Sequence, residues 1–447
     1  MRYGKMIVLS IRNMTIERAD IFMEIKNAVK SYEEVAKMDP PRYRAPKRPN
    51  ILFRTLLKVV SLPELVATRF KCKKIGMEKI GKKEPCLILM NHSSFIDLKI
   101  ASSVLYPRAF NIVATLDAFV GKDWLMRQLG CIPTRKFVFD LGLVKDINYC
   151  IKKSKTSVLM YPEAGYSFDG TATTMPGNLG RFVKMLGASV VMLQTFGAYH
   201  RDPLYNNLQK RKVKTSAELR CLFTSEELKE KSVEEVDKAL CEAFSFDSFK
   251  WQQENKIKVD EPFRADGLER LLYKCPNCKA EGATKGKGIH VTCSQCGKIW
   301  ELTEYGYLKA IEGVTEFENI PDWYRWEREC VKEELDNDTY GFDVPVDIYM
   351  IVDTKGVYKV GDGRLSHDKE GFRLTGCEGQ LEYKQNSISL YTLNSDYYWY
   401  KLGDVIGFGN QKALYYCIPK EQKSVVTKAR LATEEIYNRL RMEKNTK

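Results

Sequence analysis

Histidine is the scarcest chemically versatile residue here, with four copies in 447 positions. A histidine-rich metal cluster is therefore excluded. The chain also lacks a bilayer-spanning run. Its longest uncharged stretch, Met185 to His200, has 16 residues and is broken by Gly187, Gln194 and Gly197, whereas a spanning helix takes about 20 apolar residues. No export signal is expected, because the N-terminus offers only Met6 to Ile11 before Arg12 and no small-residue cleavage site. A disulfide framework is missing although cysteine is not: of thirteen cysteines, nine are scattered singly, which fits a reducing cytosol. No phosphate-cradling Walker loop occurs, and Gly361-Asp362-Gly363 lacks the third glycine of a dinucleotide fingerprint and reads as a hairpin turn. Net negative charge is absent too. A balance of +13 points to an anionic partner: nucleic acid, an acidic membrane surface, or phosphorylated and CoA-type substrates.

What is present centres on Leu87-Ile-Leu-Met-Asn-His-Ser-Ser-Phe-Ile-Asp97. A short apolar run has the length and content of a buried strand and ends in Asn91, His92, Ser93 and Ser94, which favour a turn or a helix N-cap. With Ser94 opening a helix, Asp97 lies about one turn from His92. A carboxylate on one ring nitrogen fixes the tautomer and raises the basicity of the other, as suits a general base acting on a hydroxyl. The same device recurs at Ser157 to Gly170, an apolar strand that breaks at Pro162 into a glycine-bearing loop carrying Glu163.

Asn91-His92-x4-Asp97, followed by Tyr161-Pro162-Glu163-Ala164-Gly165-Tyr166-Ser167, resembles the glycerolipid and lysophospholipid acyltransferase family, 1-acylglycerol-3-phosphate acyltransferases among them. That family pairs an Asn-His-x4-Asp block with a Phe-Pro-Glu-Gly-Thr-Arg-Ser block. An intermediate block, Gly-x-Ile-Phe-Ile-x-Arg, is similar to Gly130-Cys131-Ile132-Pro133-Thr134-Arg135-Lys136. The likeness covers roughly residues 51 to 245. It implies transfer of a fatty acyl group from acyl-CoA or acyl-carrier protein to a lysophospholipid hydroxyl, with His92 as base and Asp97 orienting it. It also implies Arg135 as a phosphate ligand, and Glu163 shaping the acceptor pocket with Gly165 and Ser167 beside it. The chain departs at Tyr166, where the family has arginine. A guanidinium that would fork onto phosphate is missing, and Lys136 or Arg181 becomes the substitute. The family's fourth block, Val-Pro-Val, aligns near Ser189 to Leu193, which has no proline.

An esterase using Ser167 as nucleophile is an alternative, but Gly165-Tyr-Ser-Phe-Asp-Gly170 has one residue too many for the Gly-x-Ser-x-Gly elbow. Another is a catalytically silent adaptor on the same fold, binding lipid or nucleic acid.

The strands expected at Cys86 to Met90, Ala109 to Ala114, Ser157 to Tyr161, Val190 to Phe196 and Glu218 to Phe223 alternate with helices, giving an α/β layer domain with a largely parallel sheet over 51–250. Ser225 to Phe244 reads as one closing helix. Residues 1–50 comprise a polar helix over 14–37 and a basic, proline-rich linker. Next to it, Ile51 to Leu62 places Leu52, Leu56, Val59 and Val60 on one stripe, a pattern suited to a membrane interface. Cys275-x2-Cys278 and Cys293-x2-Cys296, 14 residues apart, can supply four thiolates to one structural zinc in a ribbon over 260–310, with His290 a bystander. The ribbon has few aromatics besides Trp300, which argues against nucleic acid. A linking helix over 311–340, Pro321 to Leu335, precedes a β domain at 341–447. Its strands are expected at Val346 to Val352, Gly356 to Val360, Gly371 to Thr375, Leu381 to Tyr383, Ser387 to Leu393, Tyr397 to Phe408 and Ala413 to Ile418. With a final helix they resemble a pleckstrin-homology-like or GRAM-like barrel. The expected whole is a cytoplasmic enzyme, peripheral on the inner face of the membrane.

Overall fold

The computed structural model describes residues 25–136, 140–421 and 424–446. The apolar run Met6 to Ile11 and the first part of the helix expected over 14–37 lie outside these residues. The remainder of that helix is not continuous. Asn27–Val29 is strand β1, and only Tyr32–Ala36 is helical, opened by a capping box between Ser31 and Glu34.

Seven strands build the first sheet: β2 (Lys71–Ile75), β3 (Cys86–Met90), β4 (Phe110–Thr115), β5 (Cys131–Thr134), β6 (Ser157–Met160), β7 (Ser189–Phe196) and β8 (Ser216–Phe223), in the order β2-β8-β7-β3-β6-β4-β5. Every pair is parallel except β7 with β8. Strand β3 is buried along its whole length, as the middle of a parallel sheet covered on both faces must be. Its alternate residues feed two cores, Cys86, Ile88 and Met90 on one side and Leu87 and Leu89 on the other. Register sets Leu89 beside Met160, so the chain leaves β3 and β6 at neighbouring carboxyl ends, where open α/β sheets hold their sites. The single helix expected over Ser225 to Phe244 is two, Ser225–Glu230 and Val233–Phe244, because Ser232 makes a second capping box with Glu235.

Helix α1 (Ile51–Ala67) is capped by the Asn50 side chain on the Leu52 amide. It packs through a narrow strip, Ser61 and Leu65, against helix α2 (Ile96–Leu105), with Ser61 Oγ 3.0 Å from Ser102 Oγ. Its apolar stripe faces outward: Leu52 is 70% exposed, Leu56 54%, Val59 54% and Val60 55%.

Four short antiparallel strands, β9 (Thr284–Lys287), β10 (His290–Cys293), β11 (Ile299–Leu302) and β12 (Leu308–Ala310), form the ribbon. Helix α3 (Ile320–Asp336) follows and lays Trp323 on Trp300, ring centroids 5.0 Å apart. The C-terminal sheet comprises β13 (Phe342–Ile351), β14 (Val357–Asp368), β15 (Gly371–Gly376), β16 (Leu381–Asn386), β17 (Asn394–Trp399), β18 (Gly403–Gly409) and β19 (Leu414–Pro419), ordered β16-β15-β14-β13-β19-β18-β17, with β1 joining β14 in parallel. Helix α4 (Val425–Thr446) closes the fold.

Four expectations for this region are corrected. The sheet is antiparallel but does not close into a barrel, since β16 and β17 remain its edges. Ser387 to Leu393 forms no strand; Ser387–Ser389 is a single 3-10 turn. Tyr397 to Phe408 is two strands joined by a turn with Tyr400 and Lys401 at positive φ. The Gly361 to Gly363 fragment is not a hairpin turn either, but lies inside β14. There a side chain on Gly363 would collide with the Thr375 carbonyl on the neighbouring strand.

The two faces of the first sheet keep their own clusters, and a third joins the layers. One continuous apolar cluster runs from Phe168, Tyr199 and Phe249 through Trp300 and Trp323 to Ile348, Phe408 and Ala429.

Candidate active site

The end of β3 is clamped before any catalytic group appears. Asn91 Oδ1 accepts from the Thr195 amide at 2.8 Å, tying β3 to β7, and Asn91 Nδ2 donates to Ser93 Oγ at 3.0 Å. The turn that follows is capped from ahead. Helix α2 begins at Ile96 after Phe95, which caps nothing; Ser94 is not the N-cap residue expected of it. Asp97, 1% exposed, instead reaches back, its Oδ2 accepting from the amides of Ser93 (2.7 Å) and Ser94 (3.0 Å). The same oxygen lies 3.2 Å from His92 Nδ1. An oxygen that already accepts two amides presents an acceptor to the ring, so Nδ1 carries the hydrogen and Nε2 is left with its lone pair.

Burial lowers the His92 pKa, and Lys136 pushes in the same direction. The hydrogen bond and charge of Asp97 oppose them. The imidazole is therefore neutral near pH 7, with a fifth of its side-chain surface still open. It sits between two rings. Tyr161 stacks on it at 4.0 Å between centroids and Tyr166 at 3.8 Å.

Glu163 comes from the neighbouring strand end. Its Oε2 accepts from the His92 amide at 3.1 Å, and its Oε1 from the Thr173 amide at 2.9 Å and hydroxyl at 3.1 Å. Both oxygens are occupied and the residue is buried, so it braces the two blocks against each other; burial raises its pKa against those donors. Ser167 closes the brace, its amide donating to the His92 carbonyl at 3.0 Å and its hydroxyl to the Thr171 carbonyl at 2.6 Å. That hydroxyl is turned into its own loop. Gly165 stands at an open turn beside Ala164, which holds φ near +53°.

Arg135 and Lys136 follow β5, and Arg135 lies within electrostatic reach of Asp140 and Tyr416. Arg135 Nε is buried with no hydrogen-bond partner among the described residues, and burial lowers the pKa of its guanidinium. Lys136 acts electrostatically on both His92 and Asp396. Arg181 is elsewhere, exposed on the helix Leu179–Leu186 and facing Glu234.

Sequence reasoning missed the contribution of the C-terminal region. Arg430 Nη1 on α4 donates to the Tyr166 carbonyl and its guanidinium covers the Phe168 ring at 4.2 Å. Tyr397 stacks on Phe168 at 4.3 Å, and Trp399 Nε1 donates to Asp117 at 3.2 Å. No local signal marks these residues, which lie more than 200 positions from His92 in the chain.

The second site is the ribbon tip. The Sγ atoms of Cys275, Cys278, Cys293 and Cys296 all lie within 4.8 Å of one another, with Cys275 to Cys296 at 3.8 Å and Cys278 to Cys293 at 3.7 Å. A tetrahedral zinc with bonds of about 2.3 Å sets its sulfurs about 3.8 Å apart, so the four residues fit the ion. The knuckles are equivalent: Lys279 N donates to Cys275 O and Gly297 N to Cys293 O, both 2.9 Å, with positive φ at Lys279 and Gly297. His290 is outside the cluster.

The largely parallel sheet thus holds a neutral, carboxylate-oriented histidine at a strand end, with Nε2 able to accept a proton. Residues 71–195 match the model of the family described as Acyltransferase, and this segment is an acyltransferase domain. Among solved structures, the crystal structure of the 1-acyl-sn-glycerophosphate (LPA) acyltransferase PlsC from Thermotoga maritima is similar at 19% identity, covering 42% of this chain and 78% of that one, with a TM-score of 0.31. No curated protein matches the chain.

Proposed function

We propose that this protein is an O-acyltransferase that moves a fatty acyl group from acyl-CoA or acyl-carrier protein to a hydroxyl of a lysophospholipid. The observation that carries the reading is the 3.2 Å contact of His92 Nδ1 with Asp97 inside the segment matched to the acyltransferase family. His92 Nε2 takes the proton of the acceptor hydroxyl as its oxygen attacks the thioester carbonyl. A C–O bond forms, the C–S bond breaks, and the imidazolium returns the proton to the departing thiolate. No acyl-enzyme is needed, which accords with the engaged hydroxyl of Ser167. Glu163 keeps the His92 turn and its own loop, which runs from Pro162 to Thr173, in register, and Arg135 and Lys136 hold the acceptor's phosphate.

The surface of α1 supports peripheral binding to an anionic membrane, on its inner face in a cytoplasmic protein. Phe95, just before α2, and Leu98 within it are also exposed. No described helix is long and apolar enough to cross a bilayer. The four cysteines hold a structural zinc, since four protein ligands leave no open position for chemistry.

The test is thioester consumption by the purified chain with a panel of lysophospholipids, compared with His92→Ala. Removing a general base should lower the rate by about 10²-fold or more. Equal rates for the two proteins would rule the mechanism out.

A further inference from the structure

The active site does not end with the acyltransferase segment. Strand β17 runs along its Tyr166 side and is irregular there. Its pairing with β18 shifts register between Asp396 and Trp399, and Tyr398, Tyr400 and Lys401 all hold positive φ (58°, 45° and 65°). Non-glycine residues in that region are strained, and bulges of this kind re-aim side chains beside functional sites. The bulge is pinned rather than loose: Asp404 accepts from the Tyr398 amide at 3.0 Å and is itself held by Arg270 at 2.8 Å.

What the bulge presents is Asp396. Its Oδ1 is buried with no hydrogen-bond partner among the described residues, as is Arg135 Nε. Asp396 interacts electrostatically with Lys136 and Tyr166, and Tyr400 with both Asp396 and Tyr166. Burial pushes the Asp396 carboxyl up to about 7, against the pull of Lys136 and with Asp117 and Asp404 adding to the rise. An orphaned carboxylate oxygen on Asp396 thus lies within electrostatic reach of Lys136 and Tyr166, both of which act on or stack against His92, and the orphaned Arg135 nitrogen belongs to the residue before Lys136.

We propose, resting on the acyltransferase reading above, that the acceptor is a zwitterionic lysophospholipid. Arg135 and Lys136 take its phosphodiester, and Asp396, with the rings of Tyr166 and Tyr400, takes the ammonium beyond it. Three features favour this headgroup over a phosphate monoester. An ammonium beside Asp396 favours its ionised form and pairs with it, whereas a dianionic monoester at Lys136 is repelled by that form and gains nothing from the protonated one. Tyrosine at position 166 withdraws one cation from the phosphate and supplies a π face to an ammonium. A phosphodiester with an attached amine matches the alternation of Lys136 and Asp396 group for group, and satisfies the unpaired carboxylate oxygen.

The test is equilibrium binding of two monomeric, short-chain acceptors to the full chain at fixed ionic strength. One carries an ethanolamine phosphodiester headgroup and the other a phosphate monoester. The zwitterion should bind at least about tenfold more tightly, as one charge-assisted hydrogen bond allows. In Asp396→Asn that ratio should collapse to about threefold or less, by weaker binding of the zwitterion together with tighter binding of the monoester. A purely structural role for Asp396 would weaken both acceptors alike, and that result overturns the proposal. So does a wild-type preference for the monoester, a measurement that needs no variant, or binding of neither acceptor. Binding is read without turnover, so a chain that binds the zwitterion but transfers no acyl group sinks the reading of the reaction and leaves the headgroup assignment standing.

Discussion

At the scale of single residues, the site rests on one carboxylate doing two jobs. Asp97 orients His92 and caps the turn that carries it, so Asp97→Asn should cost stability as well as activity. The pH dependence isolates the first job. Burial and Lys136 lower the His92 pKa and Asp97 only partly restores it. A base must be deprotonated to work, so activity is full above its pKa and falls as pH drops through it. The acid limb of kcat/KM should therefore inflect below about 6.5, the ordinary histidine value. An inflection above that value would mean that Asp97 outweighs burial, and the electrostatic account of the site would be wrong. His92 and Asp97 were legible in the sequence because an apolar run ending in Asn-His-Ser-Ser confines both to one turn. The sequence places Glu163 at a strand end, but that its oxygens are occupied by Thr173 and the His92 amide, as in a brace, only the structure shows. Asp396 was invisible, because nothing local distinguishes it from any other strand aspartate.

At the scale of elements, α1 shows how far an amphipathic pattern reaches. The stripe Leu52, Leu56, Val59 and Val60 predicted a two-faced helix but not which face would be buried. The structure buries Ser61 and Leu65 and leaves the stripe in solvent. Exposed apolar patches of this kind mark interaction surfaces. Leu52→Glu with Val59→Glu should abolish co-sedimentation with anionic vesicles at low salt while moving Tm little, since surface substitutions change stability by about 0.5 kcal/mol or less. Wild-type protein that fails to sediment with such vesicles would exclude membrane docking by this helix. The C-terminal strands were harder to read. Alternation located most of them, but the breaks at Ser387 and Tyr400 follow from turn geometry and positive φ, which hydrophobic period does not encode.

At the scale of the whole molecule, the ribbon shares one apolar cluster with the C-terminal sheet and with the loop that carries Phe168. Trp300 and Trp323 lie in the cluster that also contains Phe168 of the third-block loop and Ala429 of α4. Arg430, one residue further along α4, grips that loop directly. Metal binding should therefore be a property of the entire chain: about one zinc per molecule, and, after chelation, a lower Tm in a single transition rather than loss of a separate ribbon. Metal analysis finding far less than one zinc, or chelation leaving Tm unchanged, would refute this.

Taken alone, the sequence determined the α/β layer, the strand ends that carry His92 and Glu163, and the four thiolates. Each of these is encoded in a short window, by apolar period, turn residues or ligand spacing. Only the tertiary structure decided that the C-terminal sheet stays open, that α1 turns its apolar face outward, that Arg430 of α4 bonds the Tyr166 carbonyl, and that β17 brings Asp396 within electrostatic reach of Tyr166 and Lys136. Those outcomes depend on contacts between segments that are distant in the chain, from 41 positions for Ser61 and Ser102 to 264 for Tyr166 and Arg430, where packing and desolvation choose among arrangements that the local pattern leaves equally allowed.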